Sequence, residues 1–197
     1  MNKGRVEAFS DGVLAIVITI MVLELAVPEG HELGDLFRDW PKILAYIVSF
    51  VYVGVYWNNH HHMFQAVERI NGSVLWGNLH LLFWLSLLPW LTAWVGESHF
   101  ASTPISVYAF DLLMCAVAFA LLQGALIRAD QHNILLAKAV QGGLKEKMST
   151  AACAAALLLP LLGQTATYAA GLLLLGVGLS WIIPDRRIER ALAEAEG

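Results

Sequence analysis

Residues 4–23 read Gly-Arg-Val-Glu-Ala-Phe-Ser-Asp-Gly-Val-Leu-Ala-Ile-Val-Ile-Thr-Ile-Met-Val-Leu. After Asp11 the chain runs to Leu23 without a charge, and Thr19 is the sole polar side chain in that run. With its flanks, this block reaches the roughly 20 residues that cross a bilayer as a helix. Comparable apolar segments stand at about 8–27, 42–63, 74–96, 104–127, 149–163 and 165–183. They predict an all-α integral membrane protein with six transmembrane helices, extending over 1–184 and followed by a short cytoplasmic tail, 185–197. The last two segments are short and separated by Gly163-Gln164, which predicts a tight helical hairpin.

The composition agrees. Of the 197 residues, 58% are hydrophobic and 14% charged, whereas a soluble domain is about half apolar and about a quarter charged. The net charge of −4 comes with no basic stripe, so nucleic acid is excluded as a partner. Cys115 and Cys153 lie inside apolar blocks in no metal-type spacing and read as small core residues. Lys3 and Arg5 before an apolar run resemble a signal peptide. The acid at Asp11 and the lack of a small-x-small cleavage site favour a retained first helix.

Orientation follows from the basic residues. With six crossings, all of the 12 Lys and Arg except Arg38 and Lys42 fall on one side, which predicts both termini in the cytoplasm. Punctuation fits: Pro28 stops the first helix, Pro41 opens the second, and Ser102-Thr103-Pro104 opens the fourth. Ser149-Thr150 opens the fifth and Pro184-Asp185 ends the sixth. Trp76, Trp90, Trp94 and Trp181 near helix ends read as interfacial anchors.

Polar residues inside a membrane are costly, so their placement is the strongest functional signal. The first helix ascends from the cytoplasm with Arg5, Ser10 and Asp11 in its lower part. The second descends and brings Asn58, Asn59, His60, His61 and His62 to the same depth. The third ascends with Asn78 and His80. Asp11 needs a partner, and Arg5 or a histidine is expected to supply it; Ser10 reads as a possible N-cap. The bland alternative is that these groups face water or headgroups. Adjacent histidines point about 100° apart, so no more than two of the three converge on one ion. His60 with His80 or Asp11 is the geometry a metal reading needs, and no further cluster completes it.

At 100° per residue Phe9, Gly12, Ile16, Ile20, Leu23 and Val27 form a narrow stripe on the first helix, with Thr19 at its border. Geometry alone reads this as a packing face. Glu24 lies at its outer end, and Asp111, inside the fourth helix, reads as a capped or water-facing acid.

The run from Gly4 to Met21 resembles the Arg-x-x-x-Phe-Ser-Asp first helix of the transmembrane protein 175 family of potassium channels. Trp57-Asn58-Asn59-His60-His61, Asn78-x-His80 and Leu88-Pro89 are similar to that family's next two helices. A single copy of the motif resembles the bacterial members, which carry one six-helix repeat and form homotetramers. The resemblance implies a K+ channel of the cell (inner) membrane, neither enzyme nor cofactor-dependent. Its pore would be lined by the first helix of each subunit. It further implies that Ile16 forms a hydrophobic constriction followed by Thr19, Ile20 and Leu23. Arg5, Phe9, Ser10 and Asp11, with Asn58, His60, Asn78 and His80, would hold that helix to its neighbours. No Thr-Val-Gly-Tyr-Gly filter is present. The main rival reading is a secondary transporter or metal-cation exporter using the membrane histidines. It would usually bring an internal repeat, and none is seen. An intramembrane hydrolase, with Ser10 or Ser86 and His80, has no catalytic signature to support it.

Overall fold

The computed structural model describes residues 2–28, 30–130, 137 and 143–182. Among the described residues the chain is helical, with no strand. The helices are α1 (Lys3–Leu23), α2 (Leu33–Arg38), α3 (Trp40–Gln65), α4 (Gly72–Leu85), α5 (Leu88–Glu97), α6 (Ser102–Ala129), α7 (Leu144–Leu158) and α8 (Gln164–Ile182). A 3₁₀ turn, Leu159–Leu162, joins the last two. Cys115 and Cys153 are free thiols, both buried.

Among the described residues, five stretches are long and apolar enough to cross a membrane: α1, α3, α4 with α5, α6 and α8. The predicted fifth segment is α7, which has 15 residues and is extended by the four-residue 3₁₀ turn. It starts at Leu144, ahead of the expected Ser149-Thr150; both lie inside the helix, where Thr150 donates to the Glu146 carbonyl and Ser149 accepts from Trp181 Nε1. The hairpin at Gly163 is present: its φ of +109° is accessible to glycine without a Cβ clash. Its carbonyl accepts the Thr167 N–H, starting α8.

Three further boundaries differ from expectation. α1 begins at Lys3, so Ser10 lies in its middle and caps nothing. It ends at Leu23, which leaves Val27 beyond the helix. Short α2 is added before α3, with a reciprocal capping box between Glu32 and Asp35. Pro184-Asp185 and the predicted tail lie outside the described residues.

The third span is broken between α4 and α5. Pro89, in the first turn of α5, lacks an N–H, and its ring conflicts with the carbonyl of Leu85. The break redirects the span: α4 and α5 both pack on α1 and α6, and α5 packs chiefly on α3. α5 approaches α3 so closely that a Cβ on Gly96 would stand 2.7 Å from the Lys42 Cα. α7 lies against α6, and α8 closes the bundle against α3 and α7.

Candidate functional site

α1 has two unlike faces. Ser10, Leu14, Val17 and Met21 recur at helical spacing and are buried against the subunit's own bundle. The predicted stripe lies on the other side and is uncovered by the subunit: Phe9 is 54% exposed, Ile16 59%, Ile20 42% and Leu23 79%. Gly12 and Thr19 are exposed as well. The Thr19 hydroxyl donates to the Ile16 carbonyl at 2.9 Å. With its proton engaged inside the helix, the oxygen keeps its lone pairs for whatever lies beyond this face.

The buried face is fastened by a short chain of hydrogen bonds across three helices. Ser10 Oγ donates to the Val6 carbonyl (2.9 Å) and accepts from Asn78 Nδ2 on α4 (2.9 Å). Asn78 Oδ1 lies 2.8 Å from His60 Nε2 on α3. An amide oxygen accepts only, so His60 donates through Nε2 in this arrangement. The His60 ring stacks on Phe64, with centroids 4.4 Å apart. All three polar residues are buried, and each is satisfied by another helix.

Asp11 is exposed and accepts from Trp57 Nε1 at 2.9 Å; the Trp57 ring in turn stacks on His61. The expected partner, Arg5 or a histidine, is replaced by an indole. Arg5 and Asp11 are six residues apart, which turns them to different sides of the helix, whereas side-chain pairs meet at three or four. Arg5 is exposed and takes part in neither of the two ion pairs among the described residues, Asp35–Arg38 and Lys42–Glu97.

His80 and Asn58 stand outside the hydrogen-bonded chain. His80 follows Asn78 by two residues, about 200° around α4, and its Nε2 accepts from Trp84 Nε1 on the same helix at 3.0 Å. Asn58 is displaced from His60 on α3 in the same way and is half-buried. His60 therefore does not converge with His80. Among the described residues no three His, Cys, Asp or Glu side chains gather as metal ligands.

Other contacts were not foreseen. Lys3 Nζ donates to the carbonyls of Phe64 and Val67 at 3.0 and 2.9 Å, pinning the start of α1 to the end of α3. A cation there complements the negative end of that helix. Asp130, buried at the end of α6, accepts the backbone N–H of Glu68 at 2.7 Å. Ser49, Thr92 and Tyr108 bond one another between α3, α5 and α6. Asp111 is neither capped nor facing water: it is buried and its oxygens have no hydrogen-bond partner. Partners 43 to 64 residues away leave no local pattern; Asp111 carries the one usable signal, an acid amid an apolar run.

An apolar face left open on one helix, with its opposite face locked into the bundle, suits a helix that meets copies of itself. The family described as "Endosomal/lysosomal potassium channel TMEM175" matches residues 5–89. A potassium channel of Chryseobacterium sp. (strain P1-3) is 50% identical over 98% of this chain and 100% of its own length. A potassium channel of Streptomyces collinus is 40% identical over 60% of this chain and 62% of that one. In three dimensions the chain is similar to the crystal structure of a lysosomal potassium-selective channel TMEM175 homolog from Chamaesiphon minutus. That likeness has a TM-score of 0.79 and 27% identity, over 93% of this chain and 97% of that one. Near-complete coverage at half identity, together with the match over the first helices, decides the matter: the chain belongs to the TMEM175 family.

Proposed function

We propose that the chain forms a potassium-selective, leak-type channel as a homotetramer in the cell (inner) membrane, with the first helices meeting around a central axis. The observation that carries this is the exposed stripe Phe9, Ile16, Thr19, Ile20 and Leu23, opposite a fully engaged face on the same helix. One helix cannot enclose a pore, and closed rotational symmetry is the simplest way to bring several copies together. The potassium-channel names of the relatives support the choice of ion.

In this reading each subunit crosses six times with both termini cytoplasmic. α7 and its 3₁₀ turn together reach about 30 Å, the thickness of the hydrocarbon core. Ile16 forms the constriction, an apolar ring that opposes hydration and gates by dewetting. Ile20 and Leu23 extend it, and Thr19 supplies the nearest side-chain oxygen for a partly dehydrated cation. Potassium yields its water more readily than sodium, so discrimination is modest without a carbonyl filter. Ser10 with Asn78 and His60, and Asp11 with Trp57, hold α1 at its working tilt; Arg5 sits at the cytoplasmic mouth. No cofactor takes part.

The test is ion flux from proteoliposomes, with sodium and proton controls. Ile16→Asn wets the ring and raises potassium flux severalfold. Unchanged flux in that variant removes Ile16 from the pore, and a potassium gradient undisturbed by the wild-type protein removes the channel.

A further inference from the structure

Asp111 stands in the middle of α6, 2% exposed. Neither carboxylate oxygen has a hydrogen-bond partner, and it enters neither ion pair among the described residues. Hydroxyls exist nearby but are engaged with one another. Thr92 Oγ1 donates to Ser49 Oγ at 2.6 Å, and Ser49 and Tyr108, one turn before Asp111, are joined at 2.8 Å.

Among the described residues, the groups around it bring no cation. Tyr56 of α3, and Tyr108 and Cys115 of α6 itself, are its electrostatic neighbours. α7 contributes Cys153 beside Cys115, and α5 contributes Thr92. On α4 the titratable group is His80, held by Trp84, whose ring sits edge-on to Phe110. An ionised carboxylate in such surroundings would be desolvated without compensation, the least tolerable arrangement for a charge in a membrane protein. A metal ion needs several ligands and space, and neither flanking cavity reaches the Asp111 oxygens. A proton needs neither.

We propose that Asp111 is a proton-binding site: each subunit carries a proton on this carboxyl group as a resident ligand, away from the exposed face of α1. Two cavities flank it. One of about 280 Å³, toward the start of α6, is lined by Tyr108 with Trp40, Val48 and Tyr168. The other, of about 120 Å³, toward the end of α6, is lined by Leu112 with Tyr56, Asn59 and Gln123. Tyr108 and Leu112 bracket Asp111 along the helix, so each cavity is lined by a sequence neighbour of Asp111 and neither by Asp111 itself. Release passes the proton to a water molecule as hydronium and leaves the carboxylate. That step requires α3 or α6 to shift enough to admit the water.

The test is infrared spectroscopy of the full-length protein in lipid at pH 7. The wild type shows the carbonyl band of one un-ionised carboxylic acid per subunit. The band shifts in deuterium oxide, moves when aspartate is carbon-13 labelled, and is missing in Asp111→Asn. Because the amide mimics the neutral acid, Asp111→Asn keeps the oligomer size and stays within about twofold of wild-type flux. Absence of an aspartate-labelled acid band in the wild type overturns the proposal. So does an acid band that persists in Asp111→Asn. The isotope measurement needs no variant, so a missing aspartate band overturns the proposal even if the substitution fails to fold. Neither infrared readout depends on which ion crosses the central pore.

Discussion

Asn78 joins three helices through one amide, so its removal is the sharpest test of how α1 is held. Asn78→Leu deletes the 2.9 Å bond to Ser10 and the 2.8 Å bond to His60. Ser10 keeps its bond to the Val6 carbonyl, so the principal orphan is the His60 Nε2–H, which is buried beside Phe64. Interhelical hydrogen bonds in membrane proteins contribute about 0.6 kcal/mol on average and about 1.7 at most. A buried donor left unpaired costs about 1–3 kcal/mol. The expected loss is therefore about 1–3 kcal/mol per subunit, most of it the orphaned imidazole. His60→Phe preserves a ring against Phe64 and removes that orphan. The double variant His60→Phe, Asn78→Leu should then be more stable than the sum of the single losses by about 0.5–1.7 kcal/mol. Reversible unfolding by detergent titration in mixed micelles, monitored by tryptophan fluorescence, gives the four free energies. Additivity within about 0.3–0.5 kcal/mol would show the two residues act independently and refute the bridge.

Trp57→Phe removes the donor to Asp11 and keeps an aromatic ring against His61. It should weaken the oligomer by the same amount as Asp11→Ala, and combining the two should add nothing further in size-exclusion thermal melts. Potassium-over-sodium preference should be unchanged in both. Gly96→Val places a side chain against the Lys42 backbone, so α3 and α5 must part; a loss of about 1–3 kcal/mol is expected in detergent unfolding. Lys3→Gln weakens the cap on the Phe64 and Val67 carbonyls. It should cost about 0.3–1 kcal/mol and speed amide exchange over residues 64–67 in exchange mass spectrometry.

The two faces of α1 illustrate how far a sequence reading reaches. The stripe of Phe9, Ile16, Ile20 and Leu23 follows from 100° per residue, and the structure leaves those positions exposed on the subunit. Ser10, Asn78 and His60 were expected at a common depth, and the structure joins them. Their neighbours differ from expectation: His80 bonds Trp84 on its own helix, and Asp11 bonds Trp57 in place of Arg5 or a histidine. Depth along a helix is counted from residue number, but rotation toward a partner must be known for both helices together.

The residues in order determined where apolar runs begin and end, which side chains share a helix face, and that buried polar groups must find partners. These properties are local, set by a fixed rise and turn per residue and by the cost of exposing polar groups to lipid. Which partners they find was decided in three dimensions. The break at Pro89 brings α5 onto α3 while α4 keeps mainly to α6; Trp57 reaches Asp11 across 46 positions of chain, and Asp111 is sealed inside the bundle. Those outcomes depend on how whole helices rotate, tilt and slide against one another, and that relation is written in no single stretch of sequence.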